Sequence, residues 1–368
     1  MSITACADQG KSMIAVDAMG GDLAPHAIVQ GALHAARSGI PITLFGDEQV
    51  ITPILNELDA QWRKTPIALI HCTEKINMDD APTKSVIRKK DASLVRAIQF
   101  VADGNADAIV SAGNSGAVLV SSTLLIGRAS GINRPGIGGF LPTSSGNSVF
   151  CLDLGANIDC KPEHLEQFAT MGHVYVQLMK NIHSPRIGLL ANGHEPYKGS
   201  ALVKEVYARL SQHKELNFIG NIEARDVFDG HADVIVVDGF AGNVLLKTAQ
   251  GASRMIMHLL RTEVNKLSWW RRLLYGLNRG VIENIKKNTD YARAGGALLL
   301  GLKKPVVVAH GCSHGRAIEQ AIRFAHRVTE QKFISIFNER VFECLKKQNR
   351  HTGFVAKKIK SVIEWVQS

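Results

Sequence analysis

The sequence predicts an α/β protein built on a mainly parallel sheet covered by helices, and three observations carry that prediction. Short β-branched runs recur along the 368 residues, each followed by a stretch with helical spacing of apolar residues. Six of these runs end in small and polar residues rather than in simple turns. Apolar residues make up 45% and charged residues 21%, ordinary for a chain with a sizeable core.

Taken in order, residues 1–12 (MSITACADQGKS) lack the basic-then-apolar pattern of a secretory signal and read as a lead-in to the first strand. Met13–Val16 is that strand, and Ala27–Arg37 the helix after it. Ile42–Phe45 and Ile67–His71 follow as strands. Helix Ser93–Ala102 leads into strand Ala108–Val110. Strand Val149–Leu152 precedes helix Pro162–Met179, and strand Ile187–Leu190 precedes helix Ala201–Ser211. Phe218–Ile219 and Val234–Val237 are short strands, followed by helix Val244–Leu260. Strand Val306–Ala309 and helix Arg316–Glu330 close the series. No repeat or low-complexity linker divides the chain. Residues 13–335 read as a single domain of two lobes around a cleft, and residues 336–368 as a basic C-terminal tail.

The net charge of +10 is not spread evenly. Residues 261–293 hold eight basic and three acidic side chains, and residues 340–360 seven and one; the rest is close to neutral. That distribution argues against a nucleic-acid partner and for a localised anionic one, a membrane face or an acidic protein. Six scattered cysteines without a C-x-x-C pair fit unpaired thiols in a reducing, cytoplasmic setting. No run of about 18 apolar residues marks a membrane span.

The six strand-end clusters are residues 17–22, 111–116, 153–157, 192–195, 238–243 and 310–315. In open α/β sheets, ligands bind beyond the carboxyl ends of strands, where helix N-termini converge. One such cluster is as well explained by a tight turn, but six point to a shared cleft. No G-x-G-x-x-G occurs, Gly10-Lys11-Ser12 lacks the upstream glycine of a P-loop, and there is neither a G-x-S-x-G elbow nor an H-E-x-x-H pair. Nothing calls for a metal, a cofactor or a covalent nucleophile.

The clusters also spell a family. AVDAMGGD, IRKKDAS, SAGNSGA, LDLGANIDCKPEH, GHEPYKG, DGFAGNVLLKT and AHG, in that order between about Ile14 and Ala325, resemble the bacterial acyl-acyl carrier protein:phosphate acyltransferases of phospholipid synthesis. Ser115 stands where that family usually has Thr, Ala191 where it has Asn, and Ala92 where it has Ser. The resemblance implies a three-layer αβα fold similar to the isocitrate and isopropylmalate dehydrogenases, a homodimer, and peripheral contact with the inner face of an anionic membrane. It also implies acyl carrier protein and inorganic phosphate as substrates, and a glycerol-3-phosphate acyltransferase that takes the acyl phosphate.

On that chemistry a phosphate oxygen attacks a thioester carbonyl, so no activated Ser or Cys is needed. The protein must hold the dianion, align it and stabilise developing charge. Gly113, Asn114, Ser115 and Gly116 are expected to offer backbone amides and a hydroxyl to phosphate, or else to form only a strand–helix turn. Arg88 and Lys90 steer phosphate or the carrier, or belong with Lys89 to a solvated helix face. Lys198 and Asn243 are the catalytic candidates, against a surface lysine and a helix N-cap. His310 either protonates the departing thiolate or is structural. Asn157 and Glu195 join the substrate-facing set. Asp17, Asp153 and Asp238 orient their loops, since bare carboxylates would repel phosphate. Trp269, Trp270, Leu273, Leu274 and Leu277 lie in an amphipathic, basic segment that reads as an interfacial membrane anchor or as a dimer-interface or core helix. The competing functions are an acyl-coenzyme A phosphotransacylase, a non-catalytic membrane-associated scaffold of lipid enzymes, and a nicotinamide dehydrogenase that lacks its fingerprint.

Overall fold

The computed structural model describes residues 12–266 and 296–348. Its strands are β1 (Ile14–Asp17), β2 (Ile42–Gly46), β3 (Ile67–His71), β4 (Ala108–Ser111), β5 (Gly136–Pro142), β6 (Ser148–Leu152), β7 (Arg186–Ala191), β8 (Asn217–Glu223), β9 (Val234–Val236), β10 (Ala297–Leu300) and β11 (Val306–Val308). They form one sheet in the order β3-β2-β1-β4-β11-β10-β5-β6-β9-β7-β8. The outer groups, β3 to β11 and β6 to β8, are each parallel throughout. Between them β10 and β5 pair antiparallel with each other and with their neighbours. The two parallel halves therefore run in opposite directions, and each sends its carboxyl ends toward the seam from its own side.

Helices cover both faces. On one face lie α1 (His26–Ala36), α2 (Glu48–Leu58), α6 (Pro162–Lys180), α7 (Ala201–Leu210) and α9 (Gly315–Glu330), with a last helix, α10, over 333–348. On the other lie α3 (Pro82–Arg88), α4 (Ser93–Ala102), α5 (Ser115–Leu125) and the start of α8 (Gly239–Lys266). This is the three-layer αβα arrangement expected. The layers close because each strand feeds alternate side chains to opposite cores: Val16 and Leu298 to one, Ala15 and Leu299 to the other. Gly31 lets α1 and α9 meet backbone to backbone, since a Cβ there would sit 2.5 Å from the Gly315 carbonyl oxygen. That contact fixes the start of α9, and with it the loop that carries His310.

Two strands escape the sequence reading. The glycines and proline of GIGGFLP, all poor strand formers, hide the first of them. It is β5 because Phe150 of β6 lies over it: a Cβ on Gly138 would come within 2.2 Å of the Phe150 ring. β10 is four residues after a glycine pair, too short to show a pattern. α10 buries Phe333, Ile334, Phe337 and Val341, and Gln348 donates to the Thr170 hydroxyl at 3.1 Å. The boundary drawn at residue 336 therefore falls inside a packed helix.

Candidate active site

At the seam a groove of about 330 Å³ runs over the face of β5. Its floor is Ile137, Gly139 and Leu141, which alternate onto one face, with Leu154 and Ala297 beside them. From one half come Asp22 after β1, Gly113 and Ser115 after β4, and His310, Gly311 and Ser313 after β11. From the other come Gly155 after β6 and Asn243, Leu246, Lys247 and Gln250 on α8 after β9. Five of the six clusters singled out in the sequence meet here. The sixth, with Glu195 and Lys198, follows β7, two strands from β6, and does not line the groove.

The carboxylates build the loops. Asp17 is buried and accepts from the hydroxyls of Ser93 (2.6 Å) and Ser111 (2.8 Å). Burial pushes its carboxyl above the usual range, against those hydrogen bonds. Gly20 and Gly113 are pressed against it: a Cβ on Gly20 would lie 2.3 Å from Asp17 Oδ2 and 2.9 Å from the Gly113 Cα. Asp153 accepts from the backbone amides of Ile137 (3.0 Å), Gly155 (3.1 Å), Ala156 (3.0 Å) and Asn157 (2.7 Å), and from the Asn157 side chain (2.8 Å). Burial raises its pKa too, against these donors. Asp238 accepts from the Ala241 amide at 2.9 Å and so caps α8. Because the helix already starts at Gly239, Asn243 is not its cap. It sits in the first turns, beside Gly155, from which a Cβ would be 3.4 Å away.

At the start of α5, Asn114 is the N-cap, accepting from Ala117 at 3.1 Å, while its amide nitrogen donates to the carbonyls of Met78 and Asp80, both at 3.0 Å. The Gly113 amide donates to the Ser111 hydroxyl. Those two groups tie loops together. What the helix start leaves toward a ligand are the first-turn amides of Ser115 and Gly116 and the exposed Ser115 hydroxyl. Asn157 is likewise engaged internally, donating to the Pro135 carbonyl and to Asp153.

His310 stands at the rim. The Cys312 amide (3.4 Å) and thiol (3.1 Å) both approach Nδ1, making it the acceptor and Nε2 the protonated nitrogen of the neutral ring. Partial burial lowers its pKa below the usual histidine range; Asp22 opposes this, and Lys247 and Arg254 add to it. Arg88 and Lys90 are exposed at the end of α3, whereas Lys89 between them turns inward to Asp80 and the Lys75 carbonyl. Trp269, Trp270, Leu273, Leu274 and Leu277 lie outside the described residues. Among the described residues no helix is long and apolar enough to cross a membrane.

Of the polar lining residues, Gln250 lies outside every motif singled out in the sequence, and Asp22, Lys247 and Ser313 were included in motifs but given no role of their own. Lys247 and Gln250 follow Asn243 by four and seven residues, the spacing of one helical face, and that signal could have found them.

A family model described as "Fatty acid synthesis protein" matches residues 12–336. A phosphate acyltransferase of Bacillus licheniformis is 44% identical over 330 residues, covering 89% of this chain and 98% of that protein. One from Dictyoglomus turgidum is 43% identical over 335 residues, covering 91% and 98%. The chain belongs to the phosphate acyltransferase family. Among solved structures, a phosphotransacetylase from Streptococcus pyogenes shares the fold with a TM-score of 0.58 at 19% identity, over 90% of this chain and 100% of that one. Membership makes the chain an acyltransferase of fatty acid and lipid synthesis, and the groove is where its loops bring polar donors together.

Proposed function

We propose that the chain transfers a fatty acyl group from acyl-acyl carrier protein to inorganic phosphate, giving acyl phosphate for glycerophospholipid synthesis. The observation that carries this reading is the groove itself, in which the open amides of α5, the Ser115 hydroxyl, Asn243 and His310 line one apolar-floored space. In the reaction a phosphate oxygen adds to the thioester carbonyl, the carbon–oxygen bond forms, and collapse of the tetrahedral intermediate breaks the carbon–sulfur bond. The electron pair leaves on the phosphopantetheine sulfur, whose thiol pKa of about 8.5 makes it a fair leaving group without an acid. Ser115 and Gly116 hold the dianion. Asn243 donates to the carbonyl oxygen as it becomes an oxyanion, a kind of contact whose loss typically lowers turnover about 100- to 1000-fold. His310, with its lowered pKa, is neutral at pH 7 and serves as a hydrogen-bond partner to phosphate rather than as a stored acid. Lys198 neutralises phosphate or carbonyl charge from the flanking β7 loop, with Glu195 beside it, which requires that loop to fold over the groove when substrate binds.

Arg88 and Lys90, exposed outside the groove, receive the acidic carrier. The outer half of α8 exposes Met255, Ile256, Leu259 and Leu260, an apolar surface that supports contact with a second copy or with lipid, next to the basic segment 261–293. Homodimer, peripheral membrane binding at the inner face and hand-over to a glycerol-3-phosphate acyltransferase belong to this reading. Purified protein offered palmitoyl-acyl carrier protein and palmitoyl-coenzyme A side by side, with phosphate, tests it. Preference for the carrier by kcat/KM supports the reading. Preference for coenzyme A moves the assignment to a phosphotransacylase, and inactivity with both moves it to a scaffold.

A further inference from the structure

Among the described residues, six buried side-chain polar atoms lack a hydrogen-bond partner, and only one of them, Gln250 Nε2, belongs to a residue lining the groove. Gln250 is 6% exposed. Keeping a buried donor unpaired is costly, so this one calls for an acceptor that the chain itself does not supply. It does not stand alone. Asn243, Lys247 and Gln250 all line the groove from one face of α8, at i, i+4 and i+7. Arg254, at i+11, is exposed one turn further out and lies near enough to His310 to help lower its pKa. The helix thus presents a row of donor side chains that runs outward from Asn243. Lys247, Gln250 and Arg254 follow it by about 6, 10.5 and 16.5 Å, at 1.5 Å per residue.

We propose that this face of α8 binds the phosphopantetheine arm of the acyl donor, with Gln250 on the amide nearer the phosphate and Arg254 on the phosphate. The inference rests on the groove being the acyl-transfer site, with the thioester carbonyl beside Asn243. In an extended arm the two amide carbonyl carbons and the phosphorus lie about 5, 9 and 14 bonds from that carbonyl. An extended polypeptide advances about 1.2 Å per bond, three bonds to a residue, and the arm has similar reach, so these groups stand about 6, 11 and 17 Å away. Those are the spacings of Lys247, Gln250 and Arg254. An amide offers both a carbonyl and an N–H, and so pairs with either end of the buried Gln250 side chain. The Arg254 guanidinium is a forked donor suited to a phosphate. Its exposure sets the phosphate, through which the arm joins its carrier, at the mouth of the groove.

The test uses the whole protein, inorganic phosphate, and the octanoyl thioesters of N-acetylcysteamine, pantetheine and phosphopantetheine. The first carries only the nearer amide, the second adds the farther one, and the third adds the phosphate. In the wild type kcat/KM should rise at each step. Gln250→Leu keeps the bulk and removes the unpaired donor, and it should lower the pantetheine-to-N-acetylcysteamine ratio about 10-fold. Arg254→Gln should lower the phosphopantetheine-to-pantetheine ratio about 10-fold. Should Gln250→Leu fail to fold, Arg254→Gln, at an exposed site, decides alone. A folded variant whose own ratio stays at the wild-type value overturns the arm's course along α8 and leaves the transfer reaction standing. So does a wild type that turns over palmitoyl-acyl carrier protein yet gains nothing along the thioester series. A wild type inactive with palmitoyl-acyl carrier protein as well overturns the transfer reading, and the subsite with it.

Discussion

Replacing Asp153 by alanine tests how the groove is held together. The carboxylate takes four backbone amides and one side-chain amide, and two of the backbone donors, from Ile137 and Asn157, are fully buried. A buried donor left without a partner costs about 1–3 kcal/mol, and the part-exposed ones cost less because water replaces the acceptor. Removing a carboxylate whose ionised form is disfavoured by burial returns part of this. The net loss is about 3–5 kcal/mol, or roughly 4–7 °C in melting temperature for a chain of this size. The same loop sets Gly155 against Asn243, so activity should fall further than stability does; a displacement of about 1 Å at a reacting group costs on the order of 100-fold. Thermal melting and phosphate-dependent thiol release on Asp153→Ala read the two effects. A variant that melts within about 2 °C of wild type and turns over normally would refute the claim that this carboxylate organises the site.

Four further outcomes are expected. Gly20→Ala drives a methyl into Asp17 and the Gly113 backbone, so it should lower stability by about 1–3 kcal/mol and weaken phosphate saturation; an unchanged KM for phosphate would count against the tight loop contact. His173 is buried, and burial lowers its pKa, so the unfolded chain takes up a proton first as pH falls. Wild type should therefore lose stability relative to His173→Gln on acidification from about pH 6.5, by no more than about 1.4 kcal/mol per pH unit, and a pH-independent difference in melting temperature would contradict this. Lys198→Ala should lose most turnover while melting as wild type; full activity would remove Lys198 from the mechanism, and Trp270→Glu with Leu274→Glu leaving liposome binding intact would do the same for the membrane segment.

Much of the fold was legible because parallel strands buried on both faces are β-branched runs whatever they contact, as at Ile14–Asp17 and Val234–Val236. The antiparallel seam was not, because β5 is glycine-rich for the sake of Phe150, a partner that local sequence does not reveal. Helix α5 shows no stripe, since SGAVLVSSTLL buries Ser121 and Ser122 while exposing Leu124. At the site, the clusters after β1, β4, β6, β9 and β11 could be read from their composition. The division of labour within them could not. Asn114 and Asn157 have the same chemistry as Asn243, and only the fold shows that the first two are occupied by backbone carbonyls from loops far away in sequence.

The central claim is that the groove joins an acyl group to inorganic phosphate. Radiolabelled phosphate with palmitoyl-acyl carrier protein and the purified chain measures it most directly, by label entering a hydroxylamine-sensitive, lipid-extractable product in step with carrier thiol release. The account predicts one labelled acyl phosphate per thiol released, and loss of both in Asn243→Ala. Thiol release without incorporation of label, or at the same rate without phosphate, would contradict it.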